Sequence, residues 1–449
     1  MRLLTLLLLL LAGHVVFTQD PATPLNRDEN REKTLLAAVE TRYRSDLARL
    51  SGPNKKYTAA IYQQRVESIR SLFAGNQVVT DGPSTEYLNR LLQEILRANP
   101  SIPAGELRVL FSNAWWPNAA SMGEGTIFFN AGLFHRLRNE SQAAFVLGHE
   151  LAHYLLNHGN NTIDRYVGLM YSDSMQQKIK SIQKTGYRQN AQLEALARNF
   201  AFGSHRHGRA FEYEADSMAL TLLKNTSFDP AEALTCLALL DSVDRDKYEY
   251  PLDLARRFHF DVQPFHQEWV RADVLAFTNA ADDQTEAEKD SLKTHPDCIQ
   301  RIARLRDAVA GLAGKGKKNP VDPAFFDALR ARFDYGIIQA AFDNKQVSRS
   351  LYLALRMLGE KPDELWLRVM ISRCFNEIHQ RQKEHVLGRY VDLPGPEYDE
   401  DYNELLHLIQ NTRLRELAVI SYQQLLPFRA QVEANPLFYP VWKKCIENY

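Results

Sequence analysis

Phe145-Val146-Leu147-Gly148-His149-Glu150-Leu151-Ala152-His153-Tyr154-Leu155-Leu156 combines a helical apolar pattern with two histidines four positions apart. Residues at that spacing share one face of a helix, so the two imidazoles project side by side. Imidazoles so placed reach a single Zn²⁺ at roughly 2.0–2.1 Å. Glu150 stands beside such an ion rather than on it, where its carboxylate accepts a proton from water and hands it on to a departing amine. The ion matters because it lowers the pKa of water from 15.7 to roughly 7. Gly148 and Ala152 are small, as a closely packed helix requires. Upstream, Asn139 is a cap residue with Gln142 three positions later, the spacing of a capping box, which predicts a helix starting there.

Two histidines leave the site one ligand short. A metzincin would continue His-x-x-Gly-x-x-His, but position 156 is Leu and position 159 is Gly, which excludes that class. The segment Glu212-Tyr213-Glu214-Ala215-Asp216 offers an acidic ligand instead. It lies on a helical pattern running through Met218, Leu220, Leu222 and Leu223. Glu212 is the expected third ligand. Asp216, four residues on, is placed to hold the free nitrogen of a ligand histidine. Glu214 points elsewhere and reads as a solvated acid. His158 reads as structural, and His205-Arg206-His207 as a solvated turn.

With these motifs in order, the chain resembles the HtpX-like and CAAX-prenyl-protease family of zinc metallopeptidases, within the gluzincin class. That family carries His-Glu-x-x-His and, some sixty residues later, Glu-x-x-Ala-Asp; here Glu212 follows His153 by 59 residues. Asn118-Ala119, Gly125–Asn130, Gly132-Leu133 and Thr294-His295-Pro296 with Arg301 match its accessory motifs, and the resemblance covers about residues 78–306. It implies one zinc ion held by His149, His153 and Glu212, with Glu150 as base. It implies that the strand Gly125–Asn130 is an edge on which an extended peptide docks by strand addition. Asn118, Ala119, Gly125, Ile127 and Arg301 would then touch substrate, and His295 would stabilise the oxyanion or gate the metal. Two departures stand out. Glu212 and His295 are 83 positions apart, which makes about Lys247–Ala287 an insertion carrying His259 and His266. Well-known members also span membranes several times, whereas this chain resembles the soluble periplasmic BepA-type branch, in which a tetratricopeptide domain follows the protease.

Outward from the motifs, the chain reads as mainly α with a small β-sheet. Helical spacing runs from Glu32 to about Ala74, broken by Ser51-Gly52-Pro53-Asn54, and again over 86–98. Strand signals fall at Leu107–Phe111 and Thr126–Phe129. These patterns divide the chain into a signal peptide at 1–19, N-terminal helices packing on the protease over 20–77, a metallopeptidase domain over 78–312, a linker at 313–322 and a helical domain over 323–449. Ala313-Gly314-Lys315-Gly316-Lys317-Lys318-Asn319-Pro320 reads as a solvated hinge. Phe333–Asp343, Val347–Leu358 and Leu365–Ile378 form a degenerate tetratricopeptide-like series or a plain helical domain.

Composition bounds the function. The 449 residues carry 54 Lys+Arg against 55 Asp+Glu, which supplies no basic field for nucleic acid. The leucine run Leu6–Leu11 behind Arg2 is shorter than the roughly 20 residues of a spanning helix and reads as a cleaved signal, giving a secreted or periplasmic protein without a spanning segment. Cys236, Cys298, Cys374 and Cys445 allow three disulfide pairings or stay as buried thiols. The expected activity is endopeptidase action on proteins or peptides in envelope quality control. The competing expectation is an envelope chaperone or scaffold whose working part, and partner-binding surface, is the C-terminal helical domain.

Overall fold

The computed structural model describes residues 27–184, 208–243, 252–272, 298–312, 314–396 and 398–449. The leader at 1–19, His205, His207 and His295 lie outside the described residues. The fold is mainly α with one small sheet, and among the described residues no helix is long and apolar enough to cross a membrane.

Two long helices open it, α1 (Glu29–Arg49) and α2 (Lys55–Ala74), separated by the predicted Gly-Pro break. Helix α3 (Gly82–Ala98) follows, capped by the Asp81 carboxylate. Next come β1 (Arg108–Ser112), β2 (Ala119–Ser121) and β3 (Thr126–Asn130). The strand order is β1-β3-β2, with β1 parallel and β2 antiparallel to β3. Side chains alternate across a strand, and both faces are used. Val109, Phe111, Ile127 and Phe129 face the main core, whereas Leu110 and Phe128 face Val39, Val66, Ile69 and Phe73 of α1 and α2. The N-terminal helices are therefore the second cover of the sheet.

This topology corrects one expectation. Strand β3 is central, hydrogen-bonded on both sides and buried along its length, so no peptide can add to it. Ile127 is fully buried. Gly125 adopts φ +107°, and a Cβ there would lie 2.3 Å from the Glu106 carbonyl oxygen, so its role is to turn the chain into β3. The open edge belongs to β2.

After a single turn, α4 (Ala131–Phe134), comes the helix of the histidine motif, α5 (Glu140–Leu155). Its first N–H groups need partners outside the helix. The Asn139 side chain accepts from Gln142 N at 3.0 Å as predicted, although Gln142 reaches back to Arg138 N rather than to the cap itself. The other donors are taken by the expected hinge: Glu140 N donates to Asn319 Oδ1 at 2.8 Å and Ser141 N to the Lys318 carbonyl at 2.9 Å. In return the buried Glu140 carboxylate accepts from Val321 N and Asp322 N, each at 2.7 Å, and from Tyr87 Oη at 2.8 Å. Lys317 also pairs backbone to backbone with the segment around Phe228. Residues 317–322 thus bind the start of α5 instead of swinging free; glycine and lysine content does not reveal backbone pairing.

Helices α6 (His158–Met170), α7 (Asp173–Lys184), α8 (residues 208–223), α9 (Glu232–Val243), α10 (Leu254–Arg257) and α11 (Cys298–Ala310) complete the part that carries the motifs. Beyond the 317–322 segment run α12 (Pro323–Asp343), α13 (Val347–Glu360), α14 (Leu365–Lys383), α15 (Glu400–Asn411), α16 (Leu414–Leu425), α17 (Arg429–Ala434) and α18 (Tyr439–Asn448). One core joins both parts. Phe333 of α12 lies 5.0 Å ring to ring from Phe111 of β1, and Phe326 lies 5.1 Å from Phe134 of α4. A second clasp sits on Arg349, whose guanidinium lies 4.3 Å from the Trp115 ring and 3.8 Å from Tyr402. The four cysteines are buried, and no disulfide joins them.

Candidate active site

Helix α5 presents His149 and His153 on one face, and Gly148 lets α8 come close: a Cβ at 148 would stand 3.5 Å from the Ala219 Cβ. That approach brings Glu212 over the histidines. His149 Nε2 and His153 Nε2 lie 3.0 Å apart, and the Glu212 oxygens lie 3.4 and 3.3 Å from them. The three residues form a donor set whose atoms fall within 4.8 Å of one another. Sequence separation gave no contact; the structure brings them together.

Each imidazole is aimed from behind. His149 Nδ1 lies 2.9 Å from Asp216 Oδ1, which makes Nδ1–H the donor and leaves the Nε2 lone pair facing Glu212 and His153. Asp216 is fixed in turn by Arg301 of α11, whose Nε and Nη2 each donate to it at 2.7 Å. Arg301 Nη1 is 3.0 Å from Glu212 Oε2, an ion pair without hydrogen-bond alignment. Arg301 is almost fully buried, so the expectation that it touches substrate is replaced by a role behind the carboxylates.

His153 has a support that the sequence reading did not assign. Its Nδ1 lies 2.9 Å from Nδ1 of His158, whose Nε2 lies 3.1 Å from Glu214 Oε2. The His158 ring stacks on Phe211 at 4.1 Å. Burial and the neighbouring His153 lower the His158 pKa, which favours neutral imidazole. A neutral ring donating Nε2–H to Glu214 accepts at Nδ1 from His153 Nδ1–H, and the His153 Nε2 lone pair is then directed at the ligand cluster. The signal was present as an imidazole five residues past His153 and an acid two past Glu212, but an exposed glutamate is ordinarily solvated.

Electrostatics follow from this crowding. Burial works to lower the His149 pKa, but Asp216 and Glu212 outweigh it and lift the metal-free imidazole to about 10, so a metal ion at Nε2 would take that lone pair in place of a proton. Burial works against ionisation of Glu212, and His149, His153 and Arg301 hold it far below the usual carboxylate range. Glu150 goes the other way: its own burial pushes it up, against the pull of the two histidines. Its Oε2 accepts from Ser121 N of β2 at 2.7 Å. In the β2–β3 ladder, Asn118 and Met122 bond to β3, so the alternation turns the backbone groups of Ala119 and Ser121 to the open edge. Ala119 and Ser121 therefore present backbone to that edge, with Ser121 N bonded to Glu150, while Asn118, turned to β3, and Gly125 and Ile127 do not.

The chain is similar to the mitochondrial metalloendopeptidase OMA1 of Schizosaccharomyces pombe, with 25% identity over 203 residues, covering 44% of this chain and 57% of the relative. The chain thus matches little more than half the length of that curated relative. The sequence model of peptidase family M48 matches residues 84–309, which holds the sheet, α5, α8 and most of α11. With half its length matched and its two histidines, Glu212 and Glu150 gathered beside an open strand edge, the chain belongs to peptidase family M48.

Proposed function

We propose that this chain is a zinc-dependent endopeptidase in which His149, His153 and Glu212 hold one zinc ion and Glu150 is the general base. The observation that carries this reading is the convergence of two imidazole lone pairs and a carboxylate, each braced from behind by a separate group. Nitrogen and oxygen donors in a set of three, with Glu150 near them and not among them, suit a catalytic zinc site. When bound, zinc polarises a carbonyl and makes water nucleophilic near neutral pH.

The chain's own residues do the rest. An extended peptide pairs with the outer edge of β2 through the backbone of Ala119 and the carbonyl of Ser121, whose N–H is held by Glu150, and this places the peptide backbone beside that carboxylate. Backbone pairing there carries little sequence preference. Glu150, whose pKa is raised by burial, takes a proton from the attacking water and returns it to the leaving amine. Family M48 enzymes generally use zinc, and substrates of this one are proteins or peptides. His295 remains a proposed oxyanion donor. The leader read at 1–19 supports a secreted or periplasmic setting and a part in envelope protein quality control, with N-terminal sequencing of the mature protein as its check.

The direct test is zinc analysis of purified protein with a casein-type assay and a peptide blocked at both ends. One zinc per chain, cleavage of the blocked peptide and loss of cleavage on chelation are expected; cleavage that persists without metal would overturn the reading. The second support makes a separate prediction. His158→Ala is expected to weaken zinc binding by about 10–100-fold, the scale typical of groups that orient a ligand histidine, as read by competition with a chromophoric chelator. His158→Gln, which still offers an acceptor to His153, should recover part of the loss. Equal affinity in all three proteins would remove His158 from the site.

A further inference from the structure

Three guanidiniums line a cavity of about 470 Å³ built from elements that contribute nothing to the histidine cluster. Arg256 and Arg257 come from α10, and Arg368 comes from α14. None of the three forms an ion pair among the described residues. Asp253 is the one acid on the wall, and its carboxylate already caps α10 by accepting from Arg256 N at 3.2 Å. Arg356 close by does not line the cavity, and its Nη2 is taken up by Asp401 and Tyr352.

Like charges gathered at a partly buried wall repel one another, and a bound anion relieves that cost. Arg368 Nε is buried without a hydrogen-bond partner, while its Nη2 donates to the Pro362 carbonyl at 2.7 Å and its plane lies over Phe428. The fork is therefore held in place, and with Nε enclosed and Nη2 on the Pro362 carbonyl, Nη1 is the nitrogen left for a ligand. Arg257 is anchored as well: its Nε donates to the Leu252 carbonyl, and Gln424 bonds its own carbonyl. Burial draws its pKa down, and the charges of Arg368, Arg256 and Arg356 add to this against Asp253. Leu355, Leu358 and Pro362 form an apolar wall beside the charges.

Guanidinium forks match the two oxygens of a carboxylate. The apolar wall calls for an anion on an apolar body, and the volume lies within the roughly 300–1,000 Å³ of small-ligand sites. Hydrolysis of a peptide bond creates one such group each time, a new C-terminal carboxylate. We propose that this cavity binds the free C-terminal carboxylate of a peptide whose last side chain is apolar. The source of the ligand rests on the peptidase reading; the anion site does not.

The test uses full-length protein carrying Glu150→Gln, so that no peptide is cleaved during the measurement. A fluorescent hexapeptide ending in leucine is titrated as the free acid and as the C-terminal amide, with inorganic phosphate as a third probe. The acid is expected to bind at least about ten-fold more tightly than the amide, since loss of a charge-assisted hydrogen bond costs on that scale. Arg256→Gln, at an exposed position, and Arg368→Gln are each expected to weaken the acid by a similar factor at unchanged melting temperature. Equal binding of acid and amide, binding untouched by both substitutions, or arginine-dependent binding of phosphate without the peptide would each overturn the proposal. Hydrolysis by wild type is scored separately, so failure here and failure of the peptidase reading are told apart.

Discussion

Glu150→Gln is expected to lower the turnover of a blocked peptide by about 10²–10⁴-fold, the usual worth of a positioned general base, while one zinc ion per chain remains bound. The substitution keeps the volume and the acceptor for Ser121 N, which reaches the carboxylate at 2.7 Å, so the strand edge should not shift. It removes only the capacity to accept a proton. KM should change little, because the peptide is held by β2 and not by the carboxylate. Turnover within three-fold of wild type would mean that another group is the base. Activity in cells that survives complete loss of turnover would favour the scaffold alternative, with the C-terminal helices as the working part.

Arg301→Leu is expected to lower stability by about 3–5 kcal/mol, the scale for leaving a buried charge without its partner. The loss should appear in the urea midpoint, together with weaker zinc binding. Asp216, whose ionised form is held down in pKa by Arg301 and His149 against its own burial, would lose both 2.7 Å bonds from the guanidinium. Glu212 would lose its ion pair. Arg301→Lys should recover only part, since a single ammonium cannot span both carboxylates as a planar fork does. A leucine variant as stable as wild type would show that water or another group replaces the arginine.

The helices and two of the three strands were legible because their periods are regular, and the histidine pair, Glu212 and Asp216 were legible because spacing of four places side chains on one helix face. What stayed hidden shares one cause: pairing between distant segments. Strand β2 is Ala-Ala-Ser, with nothing branched or aromatic to mark it, and the family resemblance places the edge on its neighbour β3 instead. Arg301 follows a His-Pro pair near the end of the matched region, and sequence gives no sign that its side chain turns inward to Asp216. The His158–Glu214 contact spans 56 positions between residues that read as a structural imidazole and a solvated acid. The glycine-lysine stretch before Pro320 has the composition of a hinge, yet at Gly316 a Cβ would lie 2.0 Å from the Phe228 carbonyl oxygen, which marks a tight backbone crossing.

The clasp between Glu140 and residues 317–322 sets an order of events during synthesis. The helix bearing His149 and His153 emerges from the ribosome long before Lys318, Asn319, Val321 and Asp322 exist to satisfy its first turn, and before Phe326 and Phe333 arrive to pack on Phe134. A nascent chain halted at residue 312 holds every proposed zinc ligand and still lacks the pieces that seat them. The first turn of the histidine helix is therefore complete only in a chain that extends past residue 322, and the packing on Phe134 only in one that extends past Phe333.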